Sequence, residues 1–100
     1  MQVTGYQRGG TLAAVISGEL DHHTAAAARG GLDALITDDI KNIELDMSGL
    51  TFMDSSGIGV IVGRYKKIAA RGGTFRVLNA NEHIDRIMRM AGLYALLRRG

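Results

Sequence analysis

Residues 43–71, IELDMSGLTFMDSSGIGVIVGRYKKIAAR, change their hydrophobic period from two to about 3.6 within one continuous segment. Apolar and acidic residues alternate from Ile43 to Met47, which predicts a strand with one buried face. A loop is predicted at Ser48–Asp54, followed by a helix that runs to about Arg71. The apolar stripe of this helix consists of Ile58, Ile61, Val62, Tyr65 and Ile68. The segment therefore predicts a strand, a loop and a helix in that order.

Upstream of this segment, two further strands are predicted, at Val3–Arg8 and Thr11–Ser17. The Gly9-Gly10 pair between them provides the positive φ values of a tight hairpin turn. Residues 12–16 are continuously apolar, which is typical of a strand covered on both faces. We therefore expect the second strand to lie in the interior of a sheet.

The segment after the second strand has the pattern of a helix. Asp21 or Thr24 is positioned to cap this helix, which is predicted to end at about Thr37. Gly30 and Gly31 each cost about 1 kcal/mol relative to alanine in a helix interior, so we expect packing against the sheet to maintain it. Its recurring apolar residues are Ala25, Ala28, Leu32, Leu35 and Ile36.

The order strand, helix, strand predicts a crossover unit. Such units are parallel and right-handed, so the chain leaves both strands at the same edge of the sheet. Asp21 follows one of these strands and Ser56 follows the other. The two side chains are therefore expected at one edge.

The remaining residues predict a strand, a helix and a last short strand. Gly72-Gly73 ends the second helix, Thr74–Leu78 is a strand, and Tyr94–Leu97 is a final one. A third helix lies between them, with Asn81 as its cap, Gly92 as its stop, and Ile84, Ile87, Met88 and Ala91 as its apolar positions. Residues 1–100 thus predict one α/β domain with a mixed sheet.

The amino-acid composition excludes several classes of protein. The chain has 100 residues, 46% of them apolar, and no cysteine, which excludes disulfides and thiolate metal sites. Without a leader pattern or an apolar run of about 20 residues, a soluble cytoplasmic protein with no membrane partner is expected.

The net charge is +2, with the basic excess in the second half of the chain. Few aromatic residues accompany these basic ones, so we expect solvated helix faces and no direct nucleic-acid partner.

The segment with the strongest indication of a functional site is Asp54-Ser55-Ser56-Gly57, at the predicted start of the second helix. Unpaired N–H groups and the positive end of the helix dipole tolerate negative charge at that place. Taken alone, however, these residues are better explained as a helix cap, with Gly57, Gly59 and Gly63 allowing close packing on the sheet.

Enzyme and metal hypotheses fit the same residues poorly. The segment lacks the first glycine of a nucleophile elbow, and no later Asp–His pair completes a triad. The glycine spacing from Gly57 to Gly63 differs from a dinucleotide fingerprint. Asp21-His22-His23 with distant His83 is a weak zinc candidate, because adjacent histidines rarely face one ion. No catalytic residue, metal site or cofactor is predicted.

Three segments together carry a family resemblance: residues 18–25, GELDHHTA; residues 52–61, FMDSSGIGVI, with residues 63–66, GRYK; and residues 90–93, MAGL. In order and spacing they resemble the anti-sigma factor antagonists that carry a STAS domain, and most closely the sporulation type. The resemblance extends over essentially the whole chain. It implies a four- or five-stranded sheet with helices mainly on one face.

The resemblance also implies a function. In this family the unphosphorylated antagonist binds an anti-sigma factor that is also a serine kinase, and thereby releases the sigma factor. The kinase modifies the second serine of the motif, which is Ser56 here, and a PP2C-like serine phosphatase reverses the modification. The implied partner surface comprises the loop from Gly18 to Thr24, with Asp21 as its acidic contact, and the start of the second helix at Asp54, Ser55, Ser56 and Gly57. A STAS subunit of another regulatory assembly, or a small nucleotide-binding protein or enzyme, remain the alternatives.

Overall fold

The computed structural model describes all residues from Met1 to Gly100 as one α/β domain built on a five-stranded mixed sheet. The strands lie side by side in chain order, which confirms the predicted fold class. The elements are β1 (Gln2–Arg8), β2 (Thr11–Leu20), α1 (Ala25–Leu35), β3 (Asn42–Met53), α2 (Ser55–Ala70), β4 (Phe75–Leu78), α3 (Glu82–Met90), a 3-10 helix (Leu93–Ala95) and β5 (Arg98–Arg99). None of the three α-helices combines the length and the apolar character that a membrane-spanning helix requires.

Strand pairing follows the predicted topology. β1 and β2 form an antiparallel hairpin, with Gly9 at a φ of 60° in the turn. The pairs β2–β3, β3–β4 and β4–β5 are all parallel, so each is joined by a crossover connection. The helices cover one face of the sheet, and the buried core lies between the two layers.

β2 is an interior strand, as predicted, but it is not covered on both faces. Leu12, Ala14 and Ile16 are buried on the helix side, whereas Val15 is 41% exposed. The continuous apolar run at residues 12–16 therefore does not mean that both faces of β2 are buried. Helices pack on one side of this sheet only, and the apolar side chains on the other side face solvent.

The loop predicted at Ser48–Asp54 is wrong, because β3 continues as a strand to Met53. β2 likewise extends past Ser17 to Leu20, and the two extensions pair in parallel. Register shifts between Val15 and Ser17, and between Gly18 and Glu19, disturb the alternation of buried and exposed residues. This loss of period two explains why sequence patterning ends both strands too early.

α1 ends at Leu35 rather than near Thr37, and its glycines show how packing maintains it. A Cβ atom built on Gly31 would lie 3.0 Å from Cβ of Val3 in β1. Gly30 has no such neighbour within 4 Å. Gly31 therefore allows the helix to approach the hairpin closely, which offsets the weak intrinsic helix propensity of the segment.

The strand predicted at Tyr94–Leu97 is wrong, because these residues form the end of a 3-10 helix and a turn. Leu93 and Leu97 are buried, and the Tyr94 hydroxyl donates a hydrogen bond to Oδ1 of Asp85 at 2.6 Å. Burial and this hydrogen bond raise the pKa of Tyr94 to about 12, so the phenol remains a donor at neutral pH. The actual last strand, β5, begins only at Arg98.

Candidate functional site

The ends of β2 and β3 form the base of the candidate site. Leu20 and Met53, the last residues of the two strands, are partners in the parallel ladder. The backbone N–H of Asp54 donates to the carbonyl oxygen of Leu20 at 3.2 Å. The loop that begins at Asp21 and the start of α2 therefore leave the sheet side by side, which confirms the common edge predicted from the crossover rule.

Asp54 caps α2, as predicted. Its Oδ1 atom accepts hydrogen bonds from the backbone N–H groups of Ser56, at 2.8 Å, and Gly57, at 3.4 Å. The serine hydroxyls take no part in any hydrogen bond within the protein. Ser55 is exposed and Ser56 is half-buried. The start of α2 therefore presents two hydroxyl groups that the fold itself does not use.

Gly57 lies where α2 packs directly against the ends of β2 and β3. A Cβ atom at this position would lie 2.6 Å from Cγ of Met53 and 2.8 Å from Cγ of Leu20, both of which are buried. Gly59 and Gly63 have no heavy atom within 4 Å of the corresponding position. The packing explanation is thus correct for Gly57 and wrong for the other two glycines.

Asp21 organises the neighbouring loop. Its Oδ1 atom accepts hydrogen bonds from the backbone N–H groups of His23, at 2.9 Å, and Thr24, at 3.1 Å. Partial desolvation acts to raise the pKa of Asp21, but these hydrogen bonds outweigh it, and the pKa lies below its ordinary value. The carboxylate is therefore ionised at neutral pH.

Thr24, one of the two candidate caps of α1, does not cap the helix with its side chain but holds the turn at Asp21. It occupies the N-cap position of α1, yet its side chain makes no capping hydrogen bond. Its hydroxyl instead donates to the carbonyl oxygen of Glu19 at 2.7 Å and accepts from the backbone N–H of Asp21 at 3.0 Å. The only signal in the sequence is the three-residue spacing of the two side chains, which is also that of an ordinary turn.

Phe52 opens the segment at residues 52–61 that carries the family resemblance, but the sequence predicts no role for this residue by itself. It is 41% exposed and pairs with Glu19 next to the strand ends. A strictly alternating strand that buries Leu50 would bury Phe52 as well, but Met53 is the next buried residue instead. Only the irregular register with β2 brings this aromatic ring to the surface beside the site.

The candidate site contains no cluster of metal ligands. No group of three or more potential ligand side chains is arranged to hold a metal ion. His22 and His23 have ring centroids 3.9 Å apart, and both are exposed. The arrangement brings together an ionised carboxylate, two free hydroxyls and an exposed aromatic ring at one end of the sheet.

Comparison with known proteins identifies the family. The family model described as the STAS domain matches residues 2–98. The chain belongs to the STAS-domain family of anti-sigma factor antagonists. It is 40% identical, over 97% of its length and 84% of the relative, to the anti-sigma F factor antagonist of Paenibacillus polymyxa. It is 31% identical to the anti-sigma-B factor antagonist of Bacillus subtilis, over 78% of this chain and 71% of that one.

A solved structure supports the same relationship. The Bacillus cell fate determinant SpoIIAA in its phosphorylated form superimposes with a TM-score of 0.75 at 26% sequence identity. The match covers 99% of this chain and 91% of that protein. The predicted STAS fold, with its sheet and one-sided helical layer, is thereby confirmed.

Proposed function

We propose that this protein is an anti-sigma factor antagonist, whose unphosphorylated form binds an anti-sigma factor serine kinase and releases the sigma factor. The observation that carries the proposal is the free hydroxyl of Ser56, at the start of α2 and beside the loop at Asp21. Two further findings support it: the 40% identity to an anti-sigma F factor antagonist, and the likeness to a Bacillus protein solved in a phosphorylated form.

Phosphorylation of Ser56 is the proposed switch. The first N–H groups of a helix and the positive end of its dipole tolerate an anion, so α2 accommodates the modification. A PP2C-like serine phosphatase removes it. In this scheme the protein is a substrate and a binding partner of enzymes, with Asp21, Asp54, Ser55, Ser56 and Gly57 at the interface, and it performs no catalysis of its own.

We expect the kinase to modify Ser56 and not Ser55, although Ser55 is the more exposed of the two serines. The reason is the family resemblance, which assigns the phosphate to the serine directly before Gly57. Incubation with an anti-sigma factor kinase and ATP, followed by phosphopeptide mapping, measures this. Ser55→Ala is the matched control and retains full modification, whereas Ser56→Ala loses it. Stoichiometric phosphate on Ser55 with Ser56 unmodified contradicts the assignment.

Asp21 is expected to contribute its charge to partner binding. The Oδ1 atom of Asp21 also accepts the hydrogen bonds that close the local turn. Two substitutions are therefore needed to separate the contribution of the charge to binding from the contribution of the acceptor to folding. Asp21→Asn retains an Oδ1 acceptor and removes the charge, so we expect affinity for the kinase to fall about tenfold while the melting temperature stays close to that of the wild type.

Asp21→Ala removes both the charge and the acceptor, so the melting temperature falls as well. Calorimetry for affinity and circular dichroism for melting measure the two variants. Wild-type affinity of a well-folded Asp21→Asn protein rejects the charge contact and leaves Asp21 with a turn-forming role only.

A further inference from the structure

Most of the basic side chains in the second half of the chain are engaged within the protein. Asp33 pairs with Arg64 at 3.2 Å and with Lys67 at 3.4 Å, and Asp85 pairs with two arginines of α3 and β5. Arg71 donates to the backbone carbonyls of residues 37 and 40. The expectation that this basic excess forms solvated helix faces is therefore only partly correct, and Arg76 and Arg98 differ from all of these.

Arg76 and Arg98 lie side by side on the face of the sheet that the helices leave uncovered. They are direct partners in the β4–β5 ladder, both are exposed, and neither forms an ion pair. Directly opposed residues on neighbouring strands have Cβ atoms about 5 Å apart, where like charges destabilise the pairing. An anionic group placed over the two guanidinium groups would relieve this repulsion.

The two arginines end a row of side chains that crosses the whole sheet. Tyr6, Ala13, Glu44, Arg76 and Arg98 are successive partners from β1 to β5. Two adjoining hollows, of about 230 and 190 Å³, follow this row and share two lining residues. The row therefore forms a shallow groove across all five strands.

The far end of the groove is also basic and contains an aromatic ring. The second hollow is lined by Arg8 and Tyr6, whose ring is 60% exposed and lies 5.7 Å from the guanidinium carbon of Arg8. Glu44, half-buried and without an ion pair, lies between the two basic ends. Read from β5 to β1, the groove presents two positive charges, one negative charge and one positive charge.

We propose that this groove binds an extended acidic segment of a partner protein, separately from the edge that holds Ser56. At about 4.8 Å between strands, the four spacings from β5 to β1 amount to about 19 Å. An extended peptide advances about 3.3 Å per residue and turns alternate side chains to one side, so seven residues span the groove with four side chains facing it. Acidic residues at the first, third and seventh positions and a basic residue at the fifth complement its charges.

Other occupants fit the groove less well. A second copy of the chain would bring three arginines against three arginines. Asp46, another carboxylate on this face, already accepts hydrogen bonds from the Ser48 N–H and the Asn79 side chain. The phosphates of a nucleic acid are uniformly negative, and Glu44 in the middle of the groove repels them.

The test uses the full chain and a capped synthetic peptide, Asp-Thr-Asp-Thr-Lys-Thr-Asp, in an amide NMR titration. We expect chemical-shift changes on β1, β4 and β5 that weaken as salt rises. The double variant Arg76→Gln with Arg98→Gln is expected to bind about tenfold more weakly. Arg86→Gln is the matched control, because Arg86 is an exposed arginine on α3 without an ion pair, and it retains wild-type affinity.

Three kinds of result overturn the proposal. The first is failure of the peptide to bind as proposed, seen either as equal binding of the charge-reversed peptide Lys-Thr-Lys-Thr-Asp-Thr-Lys or as no shift change on the sheet face. The second is formation of a dimer that buries this face, measured by sedimentation. The third is tighter binding of a single-stranded oligonucleotide at the same residues. Because the readout is peptide binding on the sheet face, it is independent of Ser56 and of the proposed phosphorylation switch.

Discussion

Phosphorylation of Ser56 is expected to reduce affinity for the anti-sigma factor kinase by about 100-fold or more, while the domain remains folded. A phosphoserine adds about −1.5 to −2 charges and needs solvation or cationic partners. An uncompensated charge in an interface typically costs about 2–5 kcal/mol, and each 1.4 kcal/mol is a factor of ten. Asp54, whose carboxylate accepts from the Ser56 N–H at 2.8 Å, adds further negative charge at the same place.

The fold is expected to persist because the modification lies at the start of α2. The helix dipole favours negative charge there, whereas it would oppose the same group at the other end of the helix. The Ser56 hydroxyl forms no hydrogen bond within the protein, so its modification breaks none. Circular dichroism of the phosphorylated and unmodified proteins measures this half of the prediction.

Variants at Ser56 separate the effect of added negative charge from the effect of phosphorylation itself. Ser56→Asp is expected to weaken binding only in part, because one carboxylate carries less charge than a phosphate and has a different shape. Ser56→Ala binds the kinase and resists inactivation. Treatment of the phosphorylated protein with a PP2C-like phosphatase restores binding and is the internal control. Unchanged affinity of the phosphorylated protein, or its global unfolding, rejects the mechanism.

Sequence reasoning predicted the Asp54 cap and the shared sheet edge correctly, because both are local or follow a strict rule. Asp54 caps a helix through N–H groups two and three residues away, and an Asp before a helical pattern predicts this directly. The right-handed crossover rule then brings Asp21 and Ser56 to one edge without knowledge of any contact. The same rule supplied the parallel pairing of β2 with β3.

The errors arise where contacts between distant residues decide the structure. The register shifts of β2 against β3 remove the alternating pattern from the last six residues of β3, so the sequence does not predict them as a strand. The same shifts expose Phe52. A short apolar run such as Tyr94–Leu97 fits a strand or a helical turn equally, and here burial of Leu93 and Leu97 decides for the turn. The opposed pair Arg76–Arg98 depends on the β4–β5 register, which no local pattern contains.

The contrast between Gly57 and Gly59 links the stability of the domain to the geometry of its site. Both glycines lie within α2, so replacement by alanine brings each a similar gain in helix propensity, up to about 1 kcal/mol. At Gly59 nothing lies within 4 Å of the new methyl group. We therefore expect Gly59→Ala to stabilise the protein by up to about 1 kcal/mol.

Gly57→Ala is expected to destabilise the protein relative to Gly59→Ala by about 1–3 kcal/mol, the usual cost of overpacking a core. The added methyl group would lie 2.6 Å from Cγ of Met53 and 2.8 Å from Cγ of Leu20, and both side chains are buried in the core. Since 1 kcal/mol corresponds to about 4–8 °C for a domain of this size, the melting temperatures of the two variants should differ clearly.

The same substitution is expected to weaken binding to the anti-sigma factor kinase. Leu20 and Met53 are the last residues of β2 and β3, so a methyl group pressed against them displaces the start of α2 from the loop at Asp21. Thermal unfolding and calorimetry of both alanine variants, in parallel with the wild type, measure stability and affinity. If Gly57→Ala melts as high as Gly59→Ala and binds as tightly as the wild type, close packing at Gly57 is not what positions Ser56 for its partner.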